Sequence, residues 1–304
     1  MSETPRGVLP VLVTPFTRDG EIDLAALARE VEWVLSQGVH GVVLGMVSEV
    51  LRLSSEERDR LTAETCRAVD GRGTVTASVG AESVHTAIRY AKHAESSGAD
   101  AVMAIPPVAT PCDDAELSRY YHGIFDAVSI PVVVQDASGY LGRPLSIDLQ
   151  ANLSHEYGAR ALFKPEALPI GPRLTALRDA TGGAAAIYEG TGGLALVDSF
   201  RRGIAGTMPG PDICWALVAL WGALESGDDA AADVINGPLS AIVSMLGSLD
   251  SFVAVHKHLL QRQRVLVETY ARGPVGFDLD PETRREVDRR FDLLVDAVNV
   301  GVSA

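Results

Sequence analysis

Eight short runs rich in Val, Ile and Ala punctuate this chain, and their number and spacing limit its fold more tightly than any other feature. They are Val8 to Val13, Gly41 to Leu44, Thr74 to Val79, Ala101 to Ile105, Pro131 to Val134, Ala159 to Phe163, Ala184 to Tyr188 and Ile204 to Met208. Each gives way to Gly, Pro or polar residues and then to an amphipathic stretch. Continuous rather than alternating apolar runs mark parallel strands covered on both faces. Successive runs start roughly 20 to 35 residues apart, enough for a right-handed helical crossover each time. Helix starts fall between them: Ser54-Ser55-Glu56-Glu57 has the form of a capping box, Asp113 with Glu116 imitates it, and Asp23 and Asp280-Pro281 are further caps. After Met208 the strand signals stop, and Val287, Phe291, Leu294 and Val295 repeat at helix-face spacing. The expected fold is a (β/α)8 TIM barrel. Residues 1–210 would hold its strands and most of its helices, and residues 211–304 the last barrel helix and a C-terminal helical extension.

At 304 residues and 47% hydrophobic content, the chain can bury a core of barrel size. A formal charge of −14 without a basic patch argues against nucleic-acid and anionic-membrane partners. The longest apolar run, Ile213 to Trp221, is too short to span a bilayer, and Met1 to Arg6 has no signal-peptide character, so a cytoplasmic location is expected. Cys66, Cys112 and Cys214 are widely spaced and odd in number, which points to neither a disulfide framework nor a metal site. Cys66 and Cys214 read as core packing and Cys112 as a loop residue. In His256-Lys257-His258 the two histidines, two apart on a helix, do not share a face, so no metal is expected there. No cofactor is implied elsewhere.

Only three of the 26 basic side chains are lysines: Lys92, Lys164 and Lys257. Lys92 and Lys257 lie in helix-like surroundings and read as solvated surface charges. Lys164 instead sits in Ala161-Leu162-Phe163-Lys164-Pro165, at the end of the sixth run, and Pro165 favours an extended backbone before it. Barrels place their chemistry at the C-terminal ends of strands. A lysine amine in an apolar pocket can lose its proton and attack a carbonyl, which arginine cannot do. Lys164 is thus the candidate nucleophile, with a snorkelling or Glu166-paired lysine as the plain alternative. The same rim should carry Thr14, Gly45 to Glu49, Gln135, Asp136, Glu189, Gly190 and Thr207 to Pro209.

With these landmarks in place, the chain resembles the dihydrodipicolinate synthase and N-acetylneuraminate lyase family of Schiff-base-forming class I aldolases, over nearly its whole length. The resemblance rests on Pro10 to Phe16, Gly41 to Gly45 running into Ser48-Glu49, Thr76 to Glu82, Pro106-Pro107, Gly139 to Gly142, Lys164, and Gly203 to Thr207. It implies that Lys164 forms an imine with pyruvate or another 2-oxo acid, and that the imine serves as electron sink for making or breaking a carbon–carbon bond. It also implies a homo-oligomer, a dimer or tetramer.

Several positions depart from the family pattern. The loop that usually reads Gly-Thr-Thr-Gly-Glu is Gly45-Met46-Val47-Ser48-Glu49, so Ser48 and the loop N–H groups are what remain to hold a carboxylate. Gln135 stands where the family has a proton-shuttling tyrosine, and glutamine does not titrate. Tyr140 replaces the arginine that grips a second carboxylate, and Val108-Ala109 replace a tyrosine pair. An authentic dihydrodipicolinate synthase is therefore not expected. A replacement proton carrier should come from Glu49, Asp136, Tyr140, Glu166, Tyr188 or Glu189. The catalytic candidates are Lys164, Gln135, Asp136 and Glu166. The binding candidates are Val47, Ser48, Glu49, Tyr140, Glu189, Gly190, Thr207 and Met208. The Gly190-Thr191-Gly192-Gly193 run could offer N–H groups to an anion or simply form a tight turn. The leading function is a carbon–carbon lyase on a 2-oxo acid. Its alternatives are an imine-forming dehydratase or hydratase of a sugar-derived 2-oxo acid, and a barrel that binds a small acid without turnover.

Overall fold

The computed structural model describes residues 4–138 and 143–301. Eight strands lie parallel in the order β1-β8-β7-β6-β5-β4-β3-β2. They are β1 (Gly7–Val8), β2 (Gly41–Val43), β3 (Thr74–Ser78), β4 (Ala101–Ala104), β5 (Val132–Asp136), β6 (Ala161–Pro165), β7 (Ala186–Glu189) and β8 (Gly206–Thr207). A parallel bridge between Val11 and Val43, with the Leu12 N–H donating to the Val43 carbonyl, brings the ends of this sheet together as a barrel. The eight apolar runs thus correspond to the eight strands. β1 is shorter than the Val8 to Val13 run, and β6 extends past Phe163 to include Lys164.

Helices alternate with the strands: α1 (Leu24–Ser36), α2 (Ser55–Val69), α3 (Val84–Ser96), α4 (Asp114–Ala127), α5 (Ile147–Tyr157), α6 (Ile170–Ala180), α7 (Leu196–Arg201) and α8 (Cys214–Ser226). Three more follow, α9 (Asp229–Val243), α10 (Leu249–Arg262) and α11 (Pro281–Gly301). The expected caps are present. The Ser54 side chain accepts from the Glu57 N–H while Glu57 accepts from the Ser54 N–H, and Asp23, Asp113 and Asp280 each accept from a first-turn N–H. Such caps are worth about 1 kcal/mol each.

Strand side chains alternate between two cores. Leu9, Val11, Val43, Met103, Val133, Leu162 and Tyr188 fill the barrel interior, while Val102, Val132, Val134, Phe163 and Ile187 pack outward against the helices. The change at residue 210 is one of element type rather than of core, because one buried cluster joins Val8 and Leu196 to side chains from α8, α9, α10 and α11. Val287, Phe291 and Leu294 form the buried stripe of α11. Among the described residues, no helix is long and apolar enough to cross a membrane.

Candidate active site

The strand phase decides which rim residues meet. Gln135 on β5 and Lys164 on β6 are register partners, so their side chains leave the sheet on the same side, into the barrel. The Glu166 N–H continues the ladder by donating to the Asp136 carbonyl (3.0 Å), which carries Glu166 back over Lys164. Lys164 Nζ donates to Glu166 Oε1 at 2.9 Å, and the Gln135 amide donates to Glu166 Oε2 at 2.8 Å. Lys164 and Glu166 are each 5% exposed. Burial is the main influence on Glu166, raising its pKa above the usual carboxylate value against the opposing pull of Lys164 and Gln135. A carboxyl group so placed can exchange a proton with its lysine neighbour and with a bound substrate.

The three side chains face a cavity of about 40 Å³, room for a few waters or a compact acid. Its other walls are largely apolar, with Val11, Met46, Val47, Met103, Met208, Leu249 and Phe252. Gly190 closes one side: a Cβ there would lie 2.8 Å from Glu166 Cγ and 2.9 Å from Lys164 Cε, so only glycine lets this turn pass.

Five candidates are buried nearby but directed elsewhere. Asp136 follows Gln135 on the strand and so faces outward, where its carboxylate accepts from the Ser138 and Leu145 N–H groups and lies 3.6 Å from Arg173. Glu189 and Thr207 share that outward phase, and the Thr207 hydroxyl donates to Glu189 (2.6 Å). Glu189 also accepts from the Thr191 and Gly193 N–H groups, so the glycine run forms a turn around an internal carboxylate. The Ser48 hydroxyl donates to the Leu12 carbonyl and accepts from the Gly45 N–H, which uses it to shape the loop. Glu49 pairs with Lys257 at 2.5 Å. Of the remaining proton carriers considered, Tyr188 lies inside the barrel with its hydroxyl donating to the Pro5 carbonyl at the opposite end, and Tyr140 lies outside the described residues. The Val108 and Ala109 N–H groups donate to Glu82, away from the cavity.

Lys257 corrects an expectation. Instead of a solvated charge it is 1% exposed, held by Glu49, the Tyr270 carbonyl (2.8 Å) and the face of Phe16 (4.8 Å). Desolvation lowers its pKa, against the opposing effect of Glu49. Lys92 is exposed, as expected. Sequence reasoning also missed His256, which α10 delivers to the cavity wall with only 4% of its surface exposed. The motif offered no cue beyond a histidine on the apolar side of a helix, because the residues it meets come from the distant β8 rim.

The sequence and the fold both match known proteins. A profile described as the Dihydrodipicolinate synthetase family matches residues 4–292. L-2-keto-3-deoxyarabonate dehydratase of Azospirillum brasilense is 30% identical over 307 residues, covering 97% of each chain. A 4-hydroxy-tetrahydrodipicolinate synthase of Ruegeria pomeroyi is 34% identical over 185 residues, 60% of this chain and 58% of that one. Among solved structures, a prophage protein of the dihydrodipicolinic acid synthase family from E. coli K12, in complex with pyruvate, superposes with a TM-score of 0.89 at 24% identity, covering 95% of this chain and 98% of the other. The chain belongs to the dihydrodipicolinate synthetase family, whose members are lyases.

Proposed function

We propose that the protein is an imine-forming lyase that eliminates water from a 2-oxo acid carrying a hydroxyl at C4. Lys164 is its nucleophile and Glu166 its proton carrier. The observation that carries this is the buried contact between Lys164 Nζ and Glu166 Oε1, open to a cavity on one side. Transfer of a proton from the ammonium to the carboxylate leaves a free amine, and burial of Glu166 favours that transfer because it penalises the separated charges. The amine adds to the C2 carbonyl and water departs, forming the imine. Glu166, once deprotonated, takes a proton from C3; the resulting enamine pushes out the C4 hydroxyl, which leaves as water after gaining a proton. Gln135, which does not titrate, steadies Glu166. The Met46 and Val47 N–H groups begin a short 3-10 turn, have no partner within it, and offer donors for the substrate carboxylate.

Elimination is preferred to the carbon–carbon cleavage that the sequence placed first. Similarity to a dehydratase runs end to end, whereas similarity to the synthase covers 60% of the chain. The test has two readouts. Borohydride reduction with pyruvate should leave a mass adduct on Lys164 that a Lys164→Arg variant lacks. Incubation with L-2-keto-3-deoxyarabonate should yield a product lighter by one water; release of pyruvate instead would establish carbon–carbon cleavage, and no adduct with any of several 2-oxo acids would refute the imine.

A further inference from the structure

Elimination moves two protons, one off C3 and one onto the departing hydroxyl, and Glu166 accounts for the first. A second titratable group faces the same cavity. His256 reaches it from α10, in the helical extension, through a wall otherwise made of Met208, Leu249 and Phe252. Its ring packs against Gly210, where an added Cβ would come 2.7 Å or closer to three imidazole atoms, so glycine there admits the ring to the cavity. Nδ1 lies 2.7 Å from Asp212 Oδ1, and both residues are buried. The contact is off the line of a well-formed hydrogen bond, a looseness common in acid–base pairs that tighten when substrate binds. A carboxylate beside Nδ1 would, once the contact closes, leave Nε2 as the nitrogen for chemistry, the division of labour seen wherever a carboxylate backs a catalytic imidazole. The neighbouring Lys257 is committed to Glu49 and takes no part.

We propose that His256, oriented by Asp212, is the acid that protonates the leaving hydroxyl; this rests on the imine reading above. As the enamine nitrogen re-forms its double bond to C2 and pushes electrons through C3 toward C4, the C4–O bond breaks and the proton on Nε2 passes to the departing oxygen. Water leaves, and the imidazole is neutral until it regains a proton from solvent.

A leaving group that needs no proton separates this role from a structural one. In His256→Asn, water loss from L-2-keto-3-deoxyarabonate should fall about 10²–10⁴-fold, the usual worth of a general acid. Chloride loss from 4-chloro-2-oxobutanoate, and the pyruvate adduct on Lys164, should stay within about threefold, because neither step draws on this acid. Asp212→Asn, which keeps the ring, should show the same selective loss to a smaller degree, and it decides the matter should His256→Asn fail to fold or to form the adduct. Equal losses for water and chloride with the adduct intact, or no loss of either, would overturn the assignment of His256 while leaving the imine standing. An unmodified protein that forms no adduct would overturn the imine and this assignment together. One that forms the adduct but releases neither water nor chloride would overturn this assignment.

Discussion

Two lysines are buried in this protein, each against a glutamate, and only one of them borders a cavity. Lys257 and Glu49 meet at 2.5 Å, and the amine is also enclosed by the Tyr270 carbonyl and the Phe16 ring. Glu49 in turn lies 3.6 Å from Arg52 and accepts from the Arg272 N–H. This pair ties α10 and the 270–272 segment to the loop after β2. Lys164 and Glu166 meet at 2.9 Å, yet both also border the cavity. The charges and the degree of burial are alike, so neither distinguishes a reactive lysine from a fastener. What distinguishes them is whether any direction around the amine is left open for a carbonyl carbon.

The strongest test of that contrast is Glu166→Gln, which preserves size and the contact with Lys164 but removes the titrating proton. Turnover should fall about 10²–10⁴-fold, and the pyruvate adduct should form more slowly because the group that frees the Lys164 amine is gone, as seen by steady-state kinetics beside time-resolved reductive trapping. Near-normal turnover would make Lys164–Glu166 another fastener. Lys257→Met comes next. It leaves Glu49 buried without its main partner and should cost about 3–5 kcal/mol in chemical denaturation, with the Lys164 adduct retained under native conditions. Loss of the adduct without loss of stability would give Lys257 a part in the chemistry.

The smallest effect concerns Glu30, next to the same cluster. Its carboxyl is fully buried, accepts from the Val13 N–H at 2.9 Å, and is pushed up from 4.5 to about 8, chiefly by burial. The folded protein therefore holds this proton more tightly than the unfolded chain. The stabilisation is complete below about pH 4.5 and is lost as the pH rises through about 8. Glu30→Gln should remove on the order of 1–3 kcal/mol of that decline, so the variant gains on the parent between about pH 4.5 and 8 in thermal melts at matched buffers, the interval of the shift. Parallel melting curves would show that Glu30 is charged in the fold and that the cluster holds more compensating positive charge than Lys257 alone supplies.

The barrel was legible because each parallel strand needs an uninterrupted apolar run and each crossover needs a helix's length of chain. Lys164 was legible because a lone lysine at a strand end is conspicuous in a chain that otherwise favours arginine. Strand phase was not. Runs that are apolar on both faces hide the two-residue alternation, so Asp136 beside Gln135 and Glu189 beside Gly190 read as companions when they face opposite ways. Glu166 fell on the cavity side because it lies two residues past Lys164, in the same phase. Lys257 and His256 were hidden for another reason: a helix outside the barrel repeat gives no sign that it will fold back over the rim, and their partners come from distant segments of the chain.

That returning helix has a consequence for the newborn chain. The ribosome releases β6, with its amine, before it has made Leu249, Phe252 and His256, three of the cavity's walls. For that interval Lys164 stands on a strand whose pocket still lacks those walls. The cavity is thus complete only once α10 docks, and a product of premature termination within α8 or α9 would carry the lysine without that chamber.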